Sequence, residues 1–261
     1  MPTDASAREP AGVGPPRPRS GMRDRMADLV IRVSPLVVFV AFVVWLGQAF
    51  ADDRRWLDVG TEAMYIAAAV AGLNLLLGFT GQLSLGHASF FVVGAYTGAV
   101  WAPESWGLDP WLGFPAALVI GALLGAILAL MCCHLRGLYL TVVTFAFGGL
   151  VVPVVSAFPS IFGAATGRSV AEPLEVAGLP GSRDDPFLGL YHLSAVYLLA
   201  AVVFVANVAR GRWGRAYKAI RESETAARAC GVNAYWYKVS AFAASAGIVS
   251  GAGVLAAERF L

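Results

Sequence analysis

Apolar positions along this chain fall into long unbroken runs rather than into alternation or a single amphipathic stripe. A bilayer core about 30 Å thick needs roughly 20 apolar residues in a helix. Seven runs near that length stand out, at residues 34–51, 61–79, 83–102, 110–133, 138–158, 191–209 and 239–257. They predict an all-α polytopic membrane protein. The second and third runs are separated only by Thr80, Gly81 and Gln82, too little for two full spans, so this pair predicts a broken or short helix across residues 78–86. In the fourth run Gly113, Gly121 and Gly125 are spaced for close helix contact, and Gly121 with Gly125 forms a GxxxG pair. The fifth carries Thr141 and Thr144 on one face, Gly148 and Gly149 in its middle, and Pro153 as a kink site. The seventh is a sequence of Ala, Ser and Gly that reads as a packing surface.

Backbone interrupted inside hydrocarbon leaves N–H and C=O groups that lipid cannot satisfy, so such a segment must be lined by protein or by a water-filled cavity. Gly78, Gly81 and Gly86 supply the interruption, and Gln82, Ser84 and His87 place donors and acceptors beside it. With Asn74, Tyr96, Thr141 and Thr144 they form a candidate substrate pathway, since polar groups at that depth are costly and point to function. The competing reading of each is an interhelical hydrogen bond, measured elsewhere at about 0.6 kcal/mol on average. His134, beside Arg136, reads as a boundary residue.

Composition agrees with the runs: 58% of residues are hydrophobic and 14% charged, and the mean hydropathy is +0.68. That excludes an ordinary soluble core. Cytoplasmic loops of membrane proteins carry the excess of Lys and Arg. With the amino terminus inside, fourteen of the nineteen basic residues fall on the cytoplasmic side. Residues 1–33 then read as a basic, disordered cytoplasmic tail with no cleavable signal sequence, and 34–261 as the membrane domain. Cys132, Cys133 and Cys230 lack metal-ligand spacing and read as small packing residues facing a reducing compartment. Nothing calls for a metal, a cofactor or nucleic acid, and the scarcity of buried His and carboxylate argues against an enzyme. The loop at 159–190, rich in Gly and Pro, reads either as a cap for an extracytoplasmic partner or as a plain surface loop.

The loop at 210–238 holds seven basic residues against two acids. Its centre predicts an amphipathic helix. Ala216, Ala219, Ile220, Ser223, Ala227 and Cys230 build one small-residue face, Glu224 and Arg228 form an i,i+4 pair, and Gly231 sits where a left-handed cap belongs. Such a face suits a groove on another protein. A basic interfacial helix, with Trp213, Trp236 and Tyr237 at the membrane boundary, is the equal alternative from composition.

Three stretches resemble the branched-chain amino acid ABC transporter permease family, in its LivM-like branch. They are GFTGQLSLGHASFFVVGAY at 78–96, RGLYLTVVTF at 136–145 and GRAYKAIRESETAARACG at 214–231. The resemblance covers about residues 60–257. It implies a permease subunit of a bacterial-type plasma membrane that pairs with a homologous permease subunit and two cytoplasmic ATP-binding subunits, and that receives substrate from an extracytoplasmic binding protein. ATP would be held by those partners, as this chain has no GxxxxGK[ST] phosphate loop. It also implies a coupling role for Arg215, Ala216, Ala219, Ile220, Arg221, Glu222, Glu224, Ala227 and Gly231. Two departures stand out: AATGR at 164–168 replaces the family's Thr-Gly-Gly block, and the sequence stops at Leu261 where the family fold continues, so the fold is expected to be truncated at its carboxyl terminus. Urea or short amides are the alternative substrates within the family. An ATP-independent channel or secondary transporter is the alternative outside it.

Overall fold

The computed structural model describes residues 38–50, 53–100, 110–132, 138–159 and 186–259. The chain divides into two compact units, Met1–Ala41 and Phe42–Leu261. Of the first, only the opening turn of one helix is described. The helices are α1 (Val38–Ala49), α2 (Arg54–Thr80), α3 (His87–Val100), α4 (Pro110–Cys132), α5 (Leu138–Ala157), α6 (Pro186–Arg210), α7 (Arg212–Glu222), α8 (Glu224–Ala229) and α9 (Ala234–Glu258). Among the described residues, α2, α4, α5, α6 and α9 are long and apolar enough to cross a membrane, whereas α1 and α3 are shorter. The protein is thus an all-α polytopic membrane protein with five helices of spanning length, and the expected count of seven is not reached by length alone. The tail 1–33, Cys133, His134, Arg136 and the 164–168 block lie outside the described residues.

Local chemistry sets the helix limits. α2 begins at Arg54 rather than at 61, because Asp53 is extended and its carboxylate accepts the Arg55 N–H at 3.1 Å. It ends where Gly81 turns left-handed (φ 70°, ψ 14°) and returns its N–H to the Leu77 carbonyl. Glycine reaches that conformation without a Cβ clash. The run at 83–102 is helical only from His87, because residues 82–86 leave Gly81 without helical backbone. α6 opens on Pro186, the residue best suited to a first helical position.

The predicted single helix of the cytoplasmic loop is in fact two, and Ser223 explains the division. It is extended at φ −157° and its hydroxyl accepts the Ala226 N–H at 3.3 Å, capping α8. The expected single face also divides. Ala216, Ile220 and Ala227 are buried in this chain, while Ala219 and Ser223 are exposed. Cys230 is exposed as well, contrary to the packing role expected of it, whereas Cys132 is buried.

The centre of the fold is α9, buried along almost its whole length. Its small residues let neighbouring backbones touch it, which is how helices associate where lipid removes the hydrophobic drive. A methyl group placed on Gly94 of α3 would overlap the Ser250 carbonyl, and one on Gly253 of α9 would overlap the Phe91 carbonyl. The α4 GxxxG pair meets the same helix, Gly121 against the Ser250 side chain and Gly125 against the Ala246 methyl at 2.5 Å from its added Cβ. Polar pairs fix the register. The Ser250 hydroxyl donates to the Phe90 carbonyl at 2.8 Å, and the Tyr197 hydroxyl of α6 donates to the Ile248 carbonyl at 2.5 Å. At the far end of α9, Arg259 binds Asp58, Glu62 at 2.7 Å and the Tyr65 hydroxyl at 3.1 Å, tying it to the start of α2.

Overpacking such a contact costs about 1–3 kcal/mol. Gly121→Leu is therefore expected to lower the thermal unfolding midpoint of the detergent-solubilised protein. Gly149→Ala, at a helical glycine with nothing within 4 Å, should leave it unchanged or slightly raised.

Candidate functional site

The segment between α2 and α3 is where the chain departs from helix within its apolar region, and its polar groups are met by other helices. The Leu85 N–H donates to Thr144 Oγ1 at 3.2 Å, and that hydroxyl donates onward to the Thr141 carbonyl at 2.9 Å. Thr141 Oγ1 lies 3.4 Å from the Leu83 carbonyl. Gly86 lies so close to the Thr144 carbonyl that a Cβ would overlap it, so α5 packs directly on the break. Sequence spacing placed both threonines on one face of α5, and that face is the one that seals the interrupted backbone.

His87 closes the other end. Its Nδ1 lies 3.2 Å from Ser84 Oγ and its Nε2 2.7 Å from Ser245 Oγ of α9. Ser245 spends its single proton on the Gly72 carbonyl, 2.6 Å away in the middle of α2. It can only accept from the ring, so Nε2 carries the proton and, in the neutral imidazole, Nδ1 accepts from Ser84. The result is a relay from Ser84 through His87 and Ser245 to Gly72, buried at every member. Phe90 and Phe242 set their rings edge-on to the imidazole at 5.4 and 5.6 Å. His192 of α6 has the opposite arrangement: its Nδ1 faces the Leu188 carbonyl at 2.9 Å and its Nε2 has no hydrogen-bond partner among the described residues.

The predicted pathway residues therefore separate. Ser84, His87, Thr141 and Thr144 converge on the break and are hydrogen-bonded within the protein. Gln82 joins them with one group to spare. The Thr80 hydroxyl donates to the Leu76 carbonyl at 2.6 Å, so it accepts from Gln82 Nε2 at 3.0 Å, and buried Gln82 Oε1 has no partner among the described residues. Asn74 is exposed on α2, with its side chain folded along Gly78, and Tyr96 is half-buried further along α3. Neither joins the cluster. Sequence reasoning missed Ser245. Its only sequence signal was a place among the serines of α9, Ser240, Ser245 and Ser250, spaced five residues apart.

Beside the break runs a groove of about 500 Å³ between α2, α3 and α9, walled by Ile66, Val70, Phe91 and Val249 and ending at Glu62 and Arg259. At the end of α2 stands the two-helix loop. α7 buries Gly214, Ala216, Tyr217 and Ile220, and Tyr217 places its hydroxyl 3.1 Å from Ser240 of α9. Trp213 and Tyr237 meet edge-on at 5.0 Å. Glu224 joins two cations, Arg228 at 2.6 Å as expected and Lys238 of α9 at 2.8 Å. Gly231 is left-handed at φ 81°, the cap that its position predicted.

Long apolar helices around a small-residue core define, over the described residues, a multi-pass membrane protein. The sequence matches the family described as "branched-chain amino acid transport system / permease component" over residues 56–260, and the chain belongs to that family. It is 31% identical over 244 residues to the high-affinity branched-chain amino acid transport system permease protein LivM of Salmonella typhimurium, covering 86% of this chain and 57% of that protein. To LivM of Escherichia coli K12 it is 32% identical over 244 residues, covering 86% and 56%. The chain thus spans little more than half the length of these curated relatives. No solved structure matches it.

Thr144→Val keeps the side-chain volume while removing the acceptor of the Leu85 N–H. Losing a part-buried hydrogen bond of this kind costs about 0.5–1.5 kcal/mol. Thermal unfolding in detergent is expected to show that loss, and an unaltered midpoint would mean that Leu85 does not depend on Thr144.

Proposed function

We propose that this chain is the membrane-spanning permease subunit of an ABC importer for branched-chain amino acids. In this reading it pairs with a homologous permease subunit, is driven by two cytoplasmic ATP-binding subunits, and takes substrate from an extracytoplasmic binding protein. The observation that carries the reading is the family match across residues 56–260. The names of the LivM relatives, which specify branched-chain amino acid transport, support the substrate class.

In this reading the amino terminus is cytoplasmic, the membrane is a bacterial plasma membrane, and α1 and α3 cross it as well. The 14 residues of α3 rise about 21 Å. The five non-helical residues 82–86, bent at Leu85, add at most about 16 Å, a reach that with α3 matches a core of about 30 Å. The break is then a broken span whose first part is not helical. Among the candidate pathway residues that converge on the break, Gln82 keeps an acceptor without a partner among the described residues, whereas Ser84, His87 and Thr144 are hydrogen-bonded to the protein. The loop at 210–238 is the ATPase contact, and its outward surface, which includes Ala219, Glu222 and Ala226, is the part free to dock.

Burial separates two variants that the sequence alone would treat alike. Ala219→Glu changes an exposed position, so the protein should reach the membrane in normal amount while ATP-driven leucine uptake falls. Ile220→Asp puts a carboxylate at a site 4% exposed, packed with Ala227 and Ala234, and should lower the amount of folded protein itself. Uptake assays with quantitative immunoblots and co-purification of the ATPase check both. Normal uptake by Ala219→Glu with the ATPase still bound would contradict docking on that surface.

A further inference from the structure

The carbonyls of the last helical turn have no intrahelical donor and must find one elsewhere. At the end of α2 the donor comes from the loop: the Arg221 guanidinium, in the last turn of α7, donates to the Gly78 carbonyl. The stem of the same side chain passes over Gly81, with Cγ 3.3 Å from where a Cβ would stand. One turn earlier, Lys218 Nζ sits 5.7 Å from the centre of the Phe79 ring. α7 thus holds residues 78–81, the stretch on which the helix ends and the break begins.

Its grip has a fixed base. Ile220 and Tyr217 are buried beneath α7, and Glu224 of α8 is paired to Lys238 of α9. The break is anchored at its other end to α9 through His87 and Ser245. A displacement of α7 therefore acts on a segment whose far end is tethered. That segment also holds an unused acceptor, Gln82 Oε1, available to a rearranged hydrogen-bond set.

We infer that Arg221 is a positioning residue through which movement of the cytoplasmic loop is transmitted to the helix break. The inference rests on the importer reading above and names the contact by which its loop would act. A conformational change of this kind must alter specific contacts between two states, and the Arg221 to Gly78 bond is one that the loop can make or release.

The test uses the complete importer reconstituted in liposomes, with leucine uptake and ATP hydrolysis measured together. Arg221→Ala is expected to hydrolyse ATP at close to the wild-type rate while leucine moved per ATP falls about tenfold, the size set by one charge-assisted hydrogen bond. Arg221→Lys should recover the ratio to within about threefold, since a single carbonyl acceptor needs a point charge rather than a fork. An unchanged ratio in Arg221→Ala overturns the inference. So does a fall in uptake matched by equal loss of ATPase binding and hydrolysis, which would make Arg221 a docking residue. Failure of the wild-type complex to move leucine with ATP would overturn the importer reading itself, and is seen before any variant is compared.

Discussion

A peptide group that leaves the helix inside a membrane protein has to find its hydrogen bond on another helix, and the rest of this structure is arranged around that requirement. The left-handed turn at Gly81 releases the backbone of residues 82–86 from helical pairing. Thr141 and Thr144 receive it on one side, and the His87, Ser245 and Gly72 chain holds it on the other. Those contacts need short interhelical distances. The distances in turn need the small residues of α9, since bulk at Gly94, Gly121 or Gly253 would push the helices apart. The packing of α9 and the sealing of the break are therefore one structural problem.

Much of this was legible in the sequence because its strongest signals are long. Runs of apolar residues mark the long helices, and Gly81 and Gly86 bound the non-helical residues, whereas Gly78 stays within α2. Boundaries were less legible, since they depend on single caps: Asp53 carries α2 well back from the apolar run, and Ser223 divides the loop helix. The partner of His87 was illegible for a different reason. Ser245 lies 158 residues away in sequence, and no local spacing links the two.

The small-residue face of the loop shows the same limit. A stripe of alanines is equally suited to a partner's groove and to its own chain, and only the tertiary arrangement decides between them. Here Ala216, Ile220 and Ala227 face inward, which leaves docking to the other side of α7 and α8. The loop grips α2 and α9 on its inner side and leaves its outer side exposed. In the importer reading proposed above, that outer side would meet the ATPases.

The central claim concerns the break, and amide hydrogen exchange at Leu85 in lipid nanodiscs tests it most directly. Leu85 is 60% exposed, so packing within the protein alone does not shield its amide, and Thr144→Val in the same nanodiscs separates the hydrogen bond from shielding by lipid. If Thr144 holds its N–H, exchange should be slowed to the level of a core amide such as that of Leu76. Exchange as fast as at the exposed turn of Gly231 would show that the interrupted backbone is open to water, contradicting the account.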